Sequence, residues 1–352
     1  VAEAVIGNAM SIEEIECELA RLRTSEDGPP GARACVVNAM VVTSEESAPE
    51  VARIVSDLSG HHPSRTILIV SDPDEKEANF EVSLSTFCGT GRGKDQICAE
   101  QITIHVEGSP AEHLESLAGP LLIPELPTFL WCPSATLPDP FSGMVSLADR
   151  LILDSGPAED HEAFLRAASD LCRAGLPAVR DLQWTALSQW RALVADLFAP
   201  PERADELAKI RCVEIQHGPA GESQALLLAG WLASALAWRP EQTNRTESGR
   251  KLSLSAPSGA VTVDLSHNSP EPGLGQVRLR SRELAFEVRV SRRGERACAC
   301  TTVTRGEEVL GERTVHLCSS SLAALLSEEL CLPGRDLVYE AALHKTVEIL
   351  GY

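Results

Sequence analysis

Fifteen consecutive residues, Gln224 to Trp238 (QALLLAGWLASALAW), carry no charged side chain. A helix made from them has no face suited to water, so the surrounding part of the chain must wrap it. At this length it falls short of the roughly 20 residues needed to cross a hydrocarbon core, and Glu222 and Arg239 close it off at either end. The segment predicts a buried core helix and no membrane span.

A chain of 352 residues with 43 % apolar content has enough material for two cores. The formal charge of −20 opposes binding to duplex DNA or an anionic membrane, which needs a basic footprint, so neither partner is expected. Eleven cysteines at irregular spacings, with no leading basic-then-apolar segment, read as reduced thiols in a cytoplasmic protein.

Patterning fixes the fold class. Ser11 with Glu14 is a capping box, and Ile12, Ile15, Leu19 and Leu22 form one apolar stripe of an amphipathic helix, ended by a hinge at Asp27–Gly31. Ala34–Thr43 is a nearly all-apolar strand, Val51, Ile54, Val55 and Leu58 mark a helix, and Thr66–Val70 is the next buried strand. Strand, helix, strand with short joints is a βαβ unit. Phe80–Cys88 and Gln96–Val106 bracket a glycine-rich tip as an edge hairpin, while Thr128–Cys132 and Arg150–Asp154 complete the strands. From Lys251 to Leu317, residues alternate with period two, as in Val261, Val263 and Leu265, or Phe286, Val288 and Val290. That predicts an antiparallel meander with one wet face. Two helices near 320–331 and 336–350 close the chain around Pro333-Gly334. The reading is α/β over 1–178, a Rossmann-like, mostly parallel sheet, and a second, α+β domain over 179–352 holding the meander and the buried helix.

The motifs make no case for catalysis. Gly89-Thr-Gly91-Arg-Gly93-Lys94 leads into a strand, with Asp95 where a phosphate loop needs Ser or Thr, so it reads as a hairpin tip. The turn after the first βαβ strand, Ser44–Ser47, holds no glycine, and a Rossmann-like sheet there lacks its pyrophosphate grip. No Gly-x-Ser-x-Gly elbow and no His-Glu-x-x-His is present. His61-His62-Pro63-Ser64-Arg65 reads either as a helix cap and turn or as an exposed anion or partner contact at Ser64 and Arg65. Cys298-Ala-Cys300 places two thiols on one face of a strand, where burial is the ordinary reading and a regulatory thiol the alternative. Arg278, Arg280, Arg289 and Arg293 share one meander face. Residues 250–317 carry eleven basic and eight acidic side chains, a local +3 in an acidic chain. Such a face is either an ion-pair lattice with Glu287 or Glu295, or a dock for an acidic partner.

Six blocks in order carry a resemblance: HPSR at His62–Arg65, CAEQITI at Cys98–Ile104, LLIPELPTFLW at Leu121–Trp131, ADRLILDS at Ala148–Ser155, DLQWTALSQWR at Asp181–Arg191 and GWLASALAW at Gly230–Trp238. Together they resemble the signature segments of the OpcA family, the glucose-6-phosphate dehydrogenase assembly proteins, with a looser likeness around Tyr339. The chain departs from the family pattern at Cys132, where a tryptophan is usual, and at Ala235, where a basic residue is usual. The resemblance implies a non-catalytic cytoplasmic protein that binds glucose-6-phosphate dehydrogenase and favours its active oligomer in the oxidative pentose phosphate pathway. In some members it implies a redox link, which makes the cysteines candidates. No cofactor and no metal is expected. Partner contact is assigned to Arg65, Trp184, Trp190 and Arg191, with Arg278, Arg280 and Arg289 as a second patch, because tryptophan and arginine are enriched at interface hot spots. Trp231 and Trp238 read as core. The competing reading is a small-molecule sensor or an unrecognised cytosolic enzyme with its pocket at the carboxyl ends of the parallel strands, where Asp154 and Ser155 lie.

Overall fold

The computed structural model describes the chain apart from residues 1, 7–10, 25–31, 34, 60, 61, 73–78, 91–95, 109–113, 134–140, 176, 294, 295, 319, 320, 333 and 352. The hinge at Asp27–Gly31, the glycine-rich tip beyond Thr90, His61, Glu295 and Pro333 lie outside the described residues. The chain divides into two compact units that interleave in sequence. The first comprises 1–154, 174–180 and 321–335; the second comprises 155–173, 181–320 and 336–352.

The first unit is built on a nine-stranded sheet. Its strands are β1 (Ala2–Ile6), β2 (Ala32–Arg33), β3 (Val37–Thr43), β4 (Ser64–Asp72), β5 (Asn79–Thr90), β6 (Gln96–Glu107), β7 (Thr128–Cys132), β8 (Arg150–Leu153) and β9 (Ala178–Asp181). They lie in the order β1-β5-β6-β4-β3-β7-β8-β9, with β2 against β6. The run β6, β4, β3, β7, β8 is parallel throughout. Every residue of β7 and β8 and the first seven of β4 are buried, as expected of strands covered on both faces. The βαβ reading is seen in β3, the helix Ala48–Ser59 and β4, and that helix turns Val51, Ile54 and Val55 inward.

Two features depart from the sequence reading. The β5–β6 hairpin is not at the sheet edge, because β6 pairs parallel with β4 and β1 adds outside β5. The thiols are not all reduced either: Cys88 and Cys98 face each other across the hairpin and are joined by a disulfide. Irregular spacing hid this pair because only the hairpin register opposes them. The helix Ile12–Leu22 has its capping box intact and buries Ile15 and Leu19, so its stripe docks within the unit against β5.

The second unit carries an eight-stranded sheet of β10 (Cys212–His217), β11 (Arg239–Thr246), β12 (Gly249–Ala256), β13 (Gly259–His267), β14 (Leu274–Arg280), β15 (Ala285–Arg293), β16 (Arg296–Arg305) and β17 (Glu308–His316). The order is β11-β12-β13-β10-β14-β15-β16-β17. The meander expected from Lys251 onward is present, but it begins earlier, at Arg239. It is also interrupted by β10, which pairs parallel with β13 and antiparallel with β14.

The charge-free segment is a helix, Glu222–Ala235, with Ala225 to Gly230 all buried. Gly230 sits where it crosses the helix Leu337–Leu350; a Cβ there would overlap Thr346 Oγ1 and the Ala342 carbonyl oxygen. Only glycine permits that approach, which also places the Thr346 hydroxyl 3.2 Å from the Leu226 carbonyl oxygen it donates to. Trp238 is buried as read, and Trp231 is half-buried.

Candidate partner interface

Alternation gives the eight-stranded sheet two faces of different chemistry. Val213, Ile215, Val263, Val277, Leu279, Phe286, Val288 and Val303 point inward and are buried. Helices Glu222–Ala235 and Ser188–Phe198 contact the strands on this side, and Phe198 packs on Phe286 with ring centroids 4.3 Å apart. The residues between them, among them Glu214, Arg278, Arg280, Glu287, Arg289, Cys298 and Cys300, project from the opposite face.

On this outer face, register brings the predicted arginines together. Arg278 lies opposite Glu287 and Glu214, and Arg280 opposite Cys212. Glu287 takes Arg289 at 2.9 Å and Arg278 at 3.7 Å, while Glu214 accepts from Arg280 at 2.6 Å. Three guanidiniums share two carboxylates, with Asp264 next to Glu214 in the register and Glu312 beside Cys300 on the same face. Their side chains are 38 %, 45 % and 61 % exposed for Arg278, Arg280 and Arg289, so solvent screens the pairs and they contribute little to stability.

Cys298 and Cys300 are half-buried on the same face and not core, which corrects the ordinary reading of that motif. Cys298 Sγ lies 3.3 Å from His316 Nδ1, and Cys300 Sγ lies 3.4 Å from Glu312 Oε1.

The first patch assigned from sequence lies elsewhere. Arg65 is 2 % exposed. In the first unit its guanidinium donates to Glu100 at 2.6 and 2.9 Å, to Glu16 at 3.1 Å and to the Leu121 carbonyl oxygen at 3.3 Å; Arg23 closes the cluster on Glu100. Burial opposes its charge, yet the two carboxylates hold the Arg65 pKa above its ordinary value. The expectation of an exposed contact at Ser64 and Arg65 is therefore replaced by an interior ion cluster, both residues being buried. Glu100 stands in the CAEQITI block, and nothing in the linear sequence marked it as the partner.

In the second unit, Trp184 is also interior. Its indole Nε1 donates to Asp336 at 2.9 Å, its ring meets Tyr339 at 5.7 Å between centroids, and the Arg191 guanidinium lies 3.5 Å over it. Arg191 also donates to the Trp184 carbonyl oxygen at 2.7 Å. Asp336 is at the same time the N-cap of the helix Leu337–Leu350, accepting from the backbone N–H groups of Val338 and Tyr339. The signature tryptophan block thus ties two helices by a cation–π stack and a capped hydrogen bond. Trp190 is buried as well. The side chains of Arg65, Trp184 and Trp190 serve the fold, half-buried Arg191 is engaged with Trp184, and Arg278, Arg280 and Arg289 reach solvent.

Cys132 is fully buried in β7, and burial pushes its thiol well above the ordinary range, so this departure from the family pattern lies in the core. Ser155 is buried too. Its N–H donates to Asp181 Oδ1 at 3.2 Å, and its carbonyl oxygen accepts from Ser223 Oγ at 2.8 Å. Among the described residues no group of three or more His, Cys, Asp or Glu side chains could hold a metal ion, and no helix is long and apolar enough to cross a membrane.

A parallel α/β sheet followed by a largely antiparallel eight-stranded sheet is an architecture that also occurs among oxidoreductases. A 3-ketoreductase from Actinomadura kijaniata, solved with NADP and TDP-benzene, superposes with a TM-score of 0.52 over 90 % of this chain and 96 % of its own, at 11 % identity. That likeness concerns the fold alone. The chain belongs to the OpcA family: the model of the glucose-6-phosphate dehydrogenase subunit N-terminal domain matches residues 55–170 and that of the C-terminal domain residues 177–343. Both models are described as domains of a glucose-6-phosphate dehydrogenase subunit. An OxPP cycle protein OpcA of Nostoc punctiforme is 31 % identical over 194 residues, and one of a Synechocystis species is 28 % identical over 195. The alignments cover 53 % and 54 % of this chain and 41 % of each relative, so the chain spans about two fifths of their length.

Proposed function

We propose that this protein binds glucose-6-phosphate dehydrogenase in the cytoplasm, performs no chemistry itself, and favours the active oligomer of the enzyme. The carrying observation is the match to both subunit-domain models along 55–170 and 177–343. The structure supports the reading with a broad polar sheet face on which Arg278, Arg280 and Arg289 stay solvent-exposed. A binder shifts an oligomeric equilibrium only by preferring one state. The outer sheet face, through Arg278, Arg280 and Arg289, is assigned as the surface that makes that distinction by meeting carboxylates of the dehydrogenase. Unlike-charge faces of this kind set association rate and register more than raw affinity.

The test mixes the purified chain with the dehydrogenase of the same organism and follows molar mass and turnover together. A complex of defined mass with raised turnover is expected; unchanged mass and unchanged rate would remove the proposal.

A further inference from the structure

In the second unit, where the helix Glu222–Ala235 begins beside the ends of β10 and β13 and the β11–β12 turn, lies a cavity of about 220 Å³ bordered by His217, Glu222, Arg245, Thr246, Arg250 and His267. We propose that it binds a small neutral polyhydroxylated ligand, of the sugar or polyol class. The site is independent of the outer sheet face, and the inference does not rest on the dehydrogenase reading.

The first argument is charge. Arg250 donates to Glu222 at 3.0 Å and also to Glu162, and Arg245 donates to Glu162 at 2.8 Å. Two guanidiniums thus meet two carboxylates, and hydrogen bonds from Arg250 and Arg245 outweigh burial to hold the Glu162 pKa below the ordinary carboxylate range. The cluster is closed in charge. An anionic ligand would meet Glu222, and a cationic one would meet the arginines. What stays open is hydrogen-bonding capacity: a carboxylate has about four acceptor sites and a guanidinium five donors.

The second argument is His217. It is 4 % exposed, and its Nδ1 lies 3.0 Å from the Gly218 carbonyl oxygen. A carbonyl only accepts, so Nδ1 carries the proton and Nε2 is left as an acceptor. Among the described residues Nε2 has no hydrogen-bond partner, and the ring meets His267 edge-on at 5.3 Å between centroids. Burial lowers the His217 pKa, which keeps the ring neutral. An acceptor of this kind on a cavity wall calls for a donor. The hydroxyl group donates to His217 Nε2 or Glu222 and accepts from Arg245 or Arg250 at once, and an array of hydroxyls does so without adding charge. Leu265 and Ala225 supply the apolar floor against which C–H groups can lie.

The full chain is titrated calorimetrically with D-glucose, sorbitol and inositol, and separately with inorganic phosphate, while histidine side-chain nitrogen resonances are followed by NMR. Saturable binding of at least one neutral polyol is expected, with the His217 and His267 signals moving and phosphate giving none. Arg245→Ala, at a side chain 74 % exposed, is expected to weaken binding about two- to tenfold, the range of one hydrogen bond. His217→Phe, which keeps an aromatic ring but no acceptor, should weaken it at least as much. Arg245→Ala keeps the test decisive if His217→Phe does not fold. No saturable heat with any of the three polyols, tighter binding of phosphate, or undiminished binding in Arg245→Ala would each overturn the proposal.

Discussion

The arginines of the first unit's interior and those of the second unit's outer sheet face carry the same group and do opposite work. Arg65 is sealed from water and divides its guanidinium between Glu16 and Glu100, with Arg23 closing the charge balance. Arg278, Arg280 and Arg289 stay in solvent and share Glu287 and Glu214. Removing Arg65 from the buried set leaves Glu100 in the interior with Arg23 alone and Glu16 without its guanidinium. Removing one of the exposed set leaves its partners to water and salt. An arginine is available for recognition only where its donors are not already committed inside the fold, and burial, not residue type, decides which case applies.

The contrast is sharpest under substitution. Arg65→Met leaves Glu100 buried without its main partner, and urea unfolding should show a loss of about 3–5 kcal/mol; a loss under about 1 kcal/mol would mean the cluster is effectively solvated. Gly230→Ala puts a methyl group against the Thr346 hydroxyl and the Ala342 carbonyl oxygen. It should cost about 1–3 kcal/mol by the same measurement, despite the higher helix propensity of alanine. Trp184→Phe retains a ring under Arg191 but drops the bond to Asp336, for a loss of about 1 kcal/mol. An unaltered unfolding midpoint would return that block to the list of contact residues. Arg289→Ala, by contrast, should change stability by less than about 0.5 kcal/mol.

Acid offers a smaller effect. Because burial holds the folded pKa of His217 below its ordinary 6.5, the unfolded chain takes up a proton there first. The contribution of this residue is fully present above pH 6.5 and is lost as pH falls below it toward the folded value. His217→Phe should remove that part of the pH slope, and an identical slope in the variant would contradict the burial argument.

Much of the fold is legible in the residues themselves. The charge-free run at Gln224–Trp238 is the core helix, the Ser11–Glu14 box starts its helix, and the alternating valines of β13 and β15 face inward as period two requires. What could not be read depends on register between distant segments. Arg65 and Glu100 are 35 residues apart and meet only because β4 and β6 pair in parallel. The Cys88–Cys98 pair needs the hairpin register. The insertion of β10 between β13 and β14 leaves no trace in local periodicity, since a strand reads the same beside either neighbour. The arginine face of β14 and β15 was legible for the complementary reason: alternation within one hairpin sets it. The cavity beside His217 was not, because its lining comes from three separate stretches, 217–225, 245–250 and 265–267.

The most direct measurement compares the dissociation constant of the chain for the dehydrogenase with that of the variant carrying Arg278→Glu, Arg280→Glu and Arg289→Glu, each protein first checked by thermal unfolding. The account predicts unfolding midpoints within a few degrees of each other and affinity at least about tenfold weaker in the variant. Equal affinity with an intact fold would contradict it.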